Sequence, residues 1–547
     1  MPASVRELRQ YSLSSFGHDL LAGLTVGLVA LPLAMAFAIA SGLTPQAGIY
    51  CAIVTGFIIS ALGGSRYQIG GPTGAFVVVV AGIVAEHGVG GLFMCTMMAG
   101  VILIVLGAAG MGTAVKYLPR PVVIGFTNGI AVLIASTQIK DFFGLDIASL
   151  PAEFPERMAA LGTQFDTLSL AATALGISAL GLILILRSLT PAIPGTILAL
   201  LGGTAVVALS GLDVETIGSR FGGIPAGLPE VHIPRFDAAL VPILLRPALT
   251  VALLGAIESL MSAVVADRMS GDRHNPNVEL VAQGIANVAS PIFGGLPATG
   301  AIARTATNIR SGARTPVAGM IHALTLAIVL LAAAPLARHI PMAVLAAILL
   351  VVSWNMGEWH EIPKLLRLTK TDISVWLVTF TLTVVADLTL AVEVGMVLAA
   401  LLFIRRVAIT TTVSEVTADY VEAGRAHILQ DKTIPSYVTI FRIHGPFLFG
   451  VTDKITAVTD DIARLPPIVI IRLRNMTAID ATGIRALEEV AERLRASGRT
   501  LLLCGATPQP AALMQAAEFH QHVGERNICA NIEAALRRAE EVHQAAV

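Results

Sequence analysis

The chain has 547 residues, of which 55% are hydrophobic and only 13% charged, and its formal net charge is −1. A soluble protein of this length would carry roughly 25% charged residues, so the composition is that of an integral membrane protein, and the absent basic surplus excludes a nucleic-acid binder. Cys51, Cys95, Cys504 and Cys529 are scattered without C-x-x-C spacing and suggest neither a metal site nor a disulfide framework.

The first residues, MPASVRELRQYSLSSFGHDL, are polar and mildly amphipathic, and 1–18 read as a cytosolic segment rather than a cleavable signal. A membrane span needs about 20 apolar residues. Clear spans are predicted near 19–40, 44–62, 91–114, 121–139, 167–187, 192–211, 247–267, 315–335, 340–355, 372–388 and 389–406. Weaker ones, interrupted by Gly, Pro, Thr or polar residues, fall near 73–87, 277–293 and 299–313. The total is fourteen, so both termini are expected on one side.

Charge supplies the orientation. With the N-terminus inside, the inner loops hold Arg66, Lys116, Arg120, Arg187, Arg268, Arg273, Arg310, Arg314, Lys364, Arg367, Lys370, Arg405 and Arg406. The outer loops hold only Lys140, Arg220, Arg235, Arg246 and Arg338. By the positive-inside rule both termini are cytoplasmic. The expected division is a first membrane repeat over 19–211, an outer loop over 212–246, a second repeat over 247–411 and a linker over 412–436.

Residues 437–547 change character. Strands are predicted over 437–443, 467–473 and 500–504, and helices over 481–497 and 530–543. This is a soluble α/β domain of ordinary size.

The most informative feature is a repeated motif. GGPTGA (70–75) and GGLPATGA (294–301) each place Gly-Gly, Pro and Thr-Gly-Ala in a weak span, the third of the first seven and the third of the second seven. Short, Gly/Pro-interrupted segments at matching places in two halves point to a transporter site between inverted repeats. Half-helices that begin at membrane depth leave N–H groups unpaired and carry partial positive charge at their openings. Two such openings facing each other make an anion site. Gly74, Ala75, Gly300 and Ala301 let an anion reach the backbone, and Thr73 and Thr299 offer hydroxyls as well as helix caps. Arg304, one turn into the second half-helix, would add full charge there.

Glu258 is the one acid in the middle of a strong span. A carboxylate there is costly unless neutralised or paired, which makes it a candidate proton or cation coupling site. Ser262, one turn on, is expected on the same helix face, and Ser259 off it. Asp387 and Glu393 are expected to flank a turn between the last two spans in structural roles. His322 is expected to be packed, and Asn128 and Gln138 to bond between helices. No GxxxxGK[ST] segment occurs, so transport would draw on an ion gradient or on exchange.

These residues carry a resemblance to the SulP family of anion permeases, relatives of the animal sulfate, chloride and bicarbonate exchangers. It rests on DLLAGLTVGLVALPLAMAFAIASGLTP, on GGSRYQIGGPTGAF, and on the stretch from AIESLMSAVVADRMSGDRHNPN to GGLPATGAIARTATN. The soluble end resembles a STAS domain through IRLRNMTAIDATGIRALEEV. The resemblance implies a polytopic α-helical fold of seven plus seven spans, uracil-permease-like, with a core and a gate subdomain and a cytosolic STAS domain.

It further implies that the anion binds at Thr73, Gly74, Ala75 and Phe76 and at Thr299, Gly300, Ala301, Ile302, Ala303 and Arg304, with Glu258 and Ser262 at the coupling site. Phe37, Phe76 and Gln46 would set pocket width. Elevator-type movement, a homodimer in the inner membrane and a coupling proton, or else sodium, are the expectations. No cofactor, metal or catalytic residue is expected. Sulfate is the first substrate expected, with bicarbonate and C4-dicarboxylates as alternatives. The competing readings are an anion exchanger or channel, a nucleobase:proton symporter of the same fold, and a STAS signalling scaffold. In the STAS segment Asp480 is followed by Ala481 where related domains place a phosphorylatable serine, so that switch is absent, and Thr482 reads as a helix-start residue.

Overall fold

In a computed structural model the chain divides into two compact units, Met1–Val397 and Leu398–Val547. All residues are described except 114–118, 149, 152, 190–193, 225–226, 232–233, 235–236, 387, 416–433, 457–461 and 547. Lys116, Arg235 and Asp387 therefore lie outside the described residues.

The first unit is helical. In chain order it has α1 (Leu13–Ala40), α2 (Pro45–Leu62), strand β1 (Gly70–Gly71), α3 (Gly74–Ala108), α4 (Arg120–Phe143), α5 (Leu170–Leu189) and α6 (Gly195–Ser210). After it come α7 (Val241–Ser270), α8 (Pro276–Ile292), strand β2 (Thr299–Gly300), α9 (Ile302–Arg310), α10 (Val317–Ala337), α11 (Met342–Met356), α12 (Lys370–Val385) and the first part of α13 (Leu388–Thr410), a helix that continues past Val397. Among the described residues α1 to α5, α7, α10 and α11 are long and apolar enough to cross a bilayer. The chain is a multi-pass membrane protein.

Local chemistry explains the boundaries. Ser12 caps α1 by accepting from Ser15 N at 3.2 Å. Asn275 caps α8 by accepting from Asn277 N and Val278 N at 3.1 Å, with Pro276 in the first turn where no N–H is needed. Gly88 breaks α3 at φ 67°, ψ −178°, a conformation open essentially to glycine alone. The break separates the two stretches, 73–87 and 91–114, that the sequence shows as distinct spans.

Helix packing relies on small residues. A Cβ added to Gly100 of α3 would lie 2.7 Å from the Gly284 carbonyl oxygen of α8, and one on Gly284 would lie 2.5 Å from that of Gly100. The two backbones meet at reciprocal glycines, the arrangement that lets membrane helices approach closely.

Several expected boundaries shift. α7 begins at Val241, inside the expected outer loop, because Pro247 is tolerated within the helix. Glu393 lies within α13 rather than at a turn, paired with Arg246 of α7 at 2.9 Å. Asn128 does join helices, donating to the Gly357 carbonyl and accepting from Trp376 Nε1 at 3.0 Å. Gln138 instead bonds its own neighbour Thr137 at 2.7 Å. His322 is fully buried, its ring standing against Gly56 of α2.

The second unit contains a five-stranded sheet in spatial order β3-β4-β5-β6-β7: β3 (Thr412–Glu415), β4 (Val438–Phe447), β5 (Ile468–Ile479), β6 (Thr500–Cys504) and β7 (Ile528–Cys529). β3 is antiparallel to β4 and the rest are parallel. β3 corrects the expected linker, whose first residues are a sheet strand. Helix α14 (Ala481–Ala496) buries Leu487, Val490 and Leu494 on one sheet face, and α15 (Ile532–Ala546) buries Ile532, Ala535 and Ala539 on the other. Asp480 caps α14, accepting from Gly483 N at 2.8 Å and from Phe449 N at 3.0 Å.

Candidate functional site

The two glycine-rich segments meet. β1 and β2 form an antiparallel ladder in which Gly70 faces Gly300 and Gly71 faces Thr299. Ala301 N extends it by donating to Ile69 O at 2.8 Å. The chain turns from this crossing into α3 on one strand and α9 on the other. The first intrahelical bond of α9 runs from Thr305 N to Ala301 O at 2.8 Å. The N–H groups of Ile302, Ala303 and Arg304 therefore stand outside the helical ladder, and the positive end of the helix dipole lies there.

The register differs from the one the motif suggests. Matching Thr-Gly-Ala to Thr-Gly-Ala would equate Thr73 with Thr299, but Thr299 sits in the ladder opposite Gly71. The cap position of α9 is Ala301. Gly294 and Gly295 do not correspond to Gly70 and Gly71 either; they close the turn after α8, with Gly295 N donating to Ser290 O at 2.8 Å. In a segment where most residues are Gly, Ala or Thr, several alignments of equal quality exist.

The threonines are corrected as caps. Thr73 precedes α3 but makes no capping bond, and its buried Oγ1 has no partner. Thr299 is fully buried and spent on α7: its hydroxyl donates to Gly255 O at 3.0 Å and lies 2.7 Å from Ser259 Oγ. Ser259 also accepts from Gly300 N at 3.1 Å. Ser262, expected beside Glu258, donates instead to Thr305 Oγ1 at 3.1 Å. Ser259 thus holds β2 and Ser262 holds α9, while Glu258, partly buried, lines a cleft of about 60 Å³ with Phe126 and Thr127 of α4 and Leu254 of α7.

Arg304 is 2% exposed. Its Nη2 donates to the carbonyl of Pro72, at the start of the opposite half-helix, and its Nη1 has no partner. A Cβ on Gly71 would lie 2.5 Å from that Nη1, so the glycine is the space the guanidinium occupies. A buried cation with an unspent donor, beside a buried unspent hydroxyl at Thr73, is an arrangement that can take an anion.

The walls are apolar. Built on Gly74, a Cβ would meet Ile134 at 3.1 Å and both Phe37 and Met356 at 3.3 Å. Ala75 and Phe76 are buried, with the Phe76 ring against Gly255. Ile302 is half-buried and Ala303 exposed. Gln46 Oε1 is buried without a partner.

A polar clasp holding the crossing in place carries no sequence signature. Glu279 of α8 is fully buried and accepts from Gly64 N at 2.9 Å, Ser65 N at 3.1 Å, Gln68 Nε2 at 3.1 Å and Gln283 Nε2 at 3.0 Å. Gln68 also donates to Ser259 O at 3.0 Å, tying β1 to α7. Asn287 exchanges two hydrogen bonds with the backbone of Ala298, at 2.9 and 2.8 Å. Asn308 Nδ2 and Thr305 Oγ1 close the other side, bonding Tyr67 O and Ile69 N at 3.0 Å each. A side chain that satisfies loop backbone deep in a helical core looks, in sequence, like any amphipathic helix residue.

Crossed, discontinuous segments braced by buried polar side chains, in a multi-pass helical unit joined to an α/β unit, define a membrane transporter rather than an enzyme. The model of the sulfate permease family matches residues 16–379, and that of the STAS domain residues 430–535. The chain belongs to the sulfate permease (SulP) family of anion transporters and carries a C-terminal STAS domain. It is 40% identical to the putative sulfate transporter YvdB of Bacillus subtilis, over 94% of this chain and 96% of that one. It is 32% identical to the bicarbonate transporter BicA of Synechocystis, over 95% and 94%. The solved transmembrane domain of a cyanobacterial BicA matches with TM-score 0.62 and 34% identity, over 71% of this chain and 98% of that domain. The murine anion transporter Slc26a9 shares the fold, with TM-score 0.88 at 18% identity, over 99% and 94%.

Proposed function

We propose that this protein is a secondary active transporter that binds a small oxyanion between the openings of α3 and α9. The observation that carries the reading is Arg304, buried at the crossing with one guanidinium nitrogen spent on Pro72 and the other unspent. The unpaired N–H groups at the start of α9, the Thr73 hydroxyl and the Arg304 charge together supply the donors and field an anion needs in place of water. Gly74, Ala75, Phe76, Gly300, Ala301, Ile302 and Ala303 frame the ligand, with Thr299 fixing the β2 backbone.

Counting α3 as two helices at the Gly88 break gives fourteen helical segments in α1–α13 among the described residues. β1 lies just before the third segment and β2 just before the tenth, which supports a seven-plus-seven inverted repeat. Both termini are cytoplasmic on the charge bias of the loops. Glu258 faces a cleft against α4 while its neighbours Ser259 and Ser262 hold β2 and α9 respectively, so a proton exchanged there would be felt at the anion site through a single helix. We take proton-coupled symport as the mode, with elevator-type movement in a homodimer in the inner membrane.

Sulfate is the proposed substrate, on the name of the relative at 40% identity; bicarbonate is the second reading, on the name of the BicA relatives. Counterflow in proteoliposomes decides between them. Vesicles loaded with unlabelled sulfate should draw in labelled sulfate, and external sulfate should compete better than bicarbonate or fumarate. Counterflow supported by bicarbonate and not by sulfate would reverse the assignment.

A further inference from the structure

α4, α5 and α11 leave between them an apolar groove of about 740 Å³. Ala131 and Ala135 of α4, Leu180 and Leu184 of α5, and Leu350 and Val351 of α11 line it, and none of them belongs to the crossing segments. Two serines in the lining add little polarity, because their hydroxyls are spent on backbone. Ser136 Oγ donates to Leu133 O at 2.6 Å and accepts from Arg157 Nη1 at 3.0 Å. Ser353 Oγ donates to Leu350 O at 2.9 Å. Leu184 is 50% exposed, so the groove opens onto the surface that lipid covers.

The two ends of the groove differ. A Cβ added to Gly144 would lie 2.7 Å from that of Ala172, so the end of α4 meets the start of α5 and the two helices run antiparallel. Ile139 of α4 therefore lies at the end remote from Arg187 of α5. From Ala131 to Ile139 the apolar lining of α4 runs about 12 Å.

Arg187 stands at the other end with a tryptophan pair. Its Nη1 donates to Asn355 Oδ1 at 2.8 Å, next in the chain to Trp354. Trp359 Nε1 donates to Trp354 O at 2.8 Å, and the two ring centroids are 5.6 Å apart. Among the described residues Arg187 makes no other hydrogen bond and no ion pair, so its charge is left without a counter-charge. Tryptophans and outreaching arginines at one end of apolar spans mark the headgroup level of a bilayer. On the orientation proposed above, that end is cytoplasmic, where the leaflet carries anionic lipid.

We propose that this groove binds one anionic phospholipid, with an acyl chain along α4 and the phosphate against Arg187. The planar guanidinium fork matches phosphate oxygens. Basic pockets between spans on the cytoplasmic side hold anionic headgroups in this way. The cavity is of a size that holds an organic ligand, and its lining suits hydrocarbon. Only the choice of leaflet rests on the proposed orientation.

The test titrates delipidated full-length protein in neutral detergent with phosphatidylglycerol, and separately with phosphatidylcholine, and counts bound lipid by native mass spectrometry. One phosphatidylglycerol per chain is expected to bind in preference to phosphatidylcholine. Arg187→Gln, at an exposed position, should weaken phosphatidylglycerol about fivefold or more and leave phosphatidylcholine unchanged. Ala135→Phe, which fills the groove, should weaken both. Equal binding of the two lipids by wild type, or phosphatidylglycerol binding that Arg187→Gln leaves intact, would overturn the proposal. So would a change of oligomeric state in Ala135→Phe, which would make a second copy of the chain the occupant.

Discussion

Arg304 and Pro72 are 232 residues apart in sequence, yet the guanidinium of one donates to the carbonyl oxygen of the other inside the helical core. The bond links the second crossing segment to the first at the place where both chains turn into helices. It also holds the charge of Arg304 at the opening of α3, beside the N–H groups that helix leaves unpaired.

Replacing Arg304 by alanine removes both the charge and this tie. A hydrogen bond to a charged group contributes about 1.5–3 kcal/mol, so the half-saturating anion concentration should rise by about 10- to 100-fold. Arg304→Lys should fall between, because an ammonium keeps charge but cannot donate in a fork. Initial uptake rates against anion concentration, normalised to reconstituted protein, measure this.

Gly71→Ala tests the same contact from the other side. The new Cβ would lie 2.5 Å from Arg304 Nη1, at a residue with φ +150°. The guanidinium is the movable partner, so it should swing off Pro72, and transport should fall much as in Arg304→Ala while the protein still purifies as a folded species. Retention of wild-type affinity in Gly71→Ala would mean that the position of the guanidinium is immaterial.

Glu279→Ala leaves two buried backbone N–H groups and the buried Gln283 amide without their acceptor, and Gln68 with only the Ser259 carbonyl. Breaking a buried network of this kind costs about 3–5 kcal/mol. Thermal unfolding in detergent should show a large drop for Glu279→Ala and a smaller one for Glu279→Gln, which keeps one oxygen for the backbone donors.

Gly88→Ala addresses the break in α3. No atom lies within 4 Å of the position a Cβ would take, so the cost is conformational and not steric contact. Alanine disfavours φ 67°, ψ −178° by about 1–3 kcal/mol. A lower melting temperature with near-normal anion affinity is expected, since Gly88 is remote from β1 in the chain.

Much of this organisation is legible in the amino-acid sequence, and the limits have physical causes. Gly70–Gly71 and the 294–301 segment come together because non-helical backbone at membrane depth is tolerated only where it is buried in protein or lines a cavity. Their register was not legible, since Thr-Gly-Ala recurs in both segments while the ladder pairs Gly71 with Thr299. Helical spacing placed Ser262 near Glu258, but a serine hydroxyl goes to the nearest acceptor, and α9 offers Thr305. Glu279 and Asp19 gave no signal. Asp19 is buried against Arg314 N at 2.7 Å and Thr315 N at 3.0 Å, partners 295 and 296 residues away that no local pattern reveals. In the STAS domain the apolar strands are legible in sequence, whereas β3, exposed or half-exposed throughout, carries no apolar run to mark it.

In the proposed mechanism Arg304 binds the anion and Glu258 couples its movement to protons. The measurement that tests it most directly is uptake of labelled sulfate into proteoliposomes under an imposed inward proton gradient, with wild type, Arg304→Ala and Glu258→Gln side by side. Wild type should accumulate sulfate above equilibrium, Arg304→Ala should show weak uptake at any concentration near the wild-type half-saturation point, and Glu258→Gln should equilibrate without accumulation. Wild-type flux that ignores the gradient, or accumulation that survives Glu258→Gln, would contradict it.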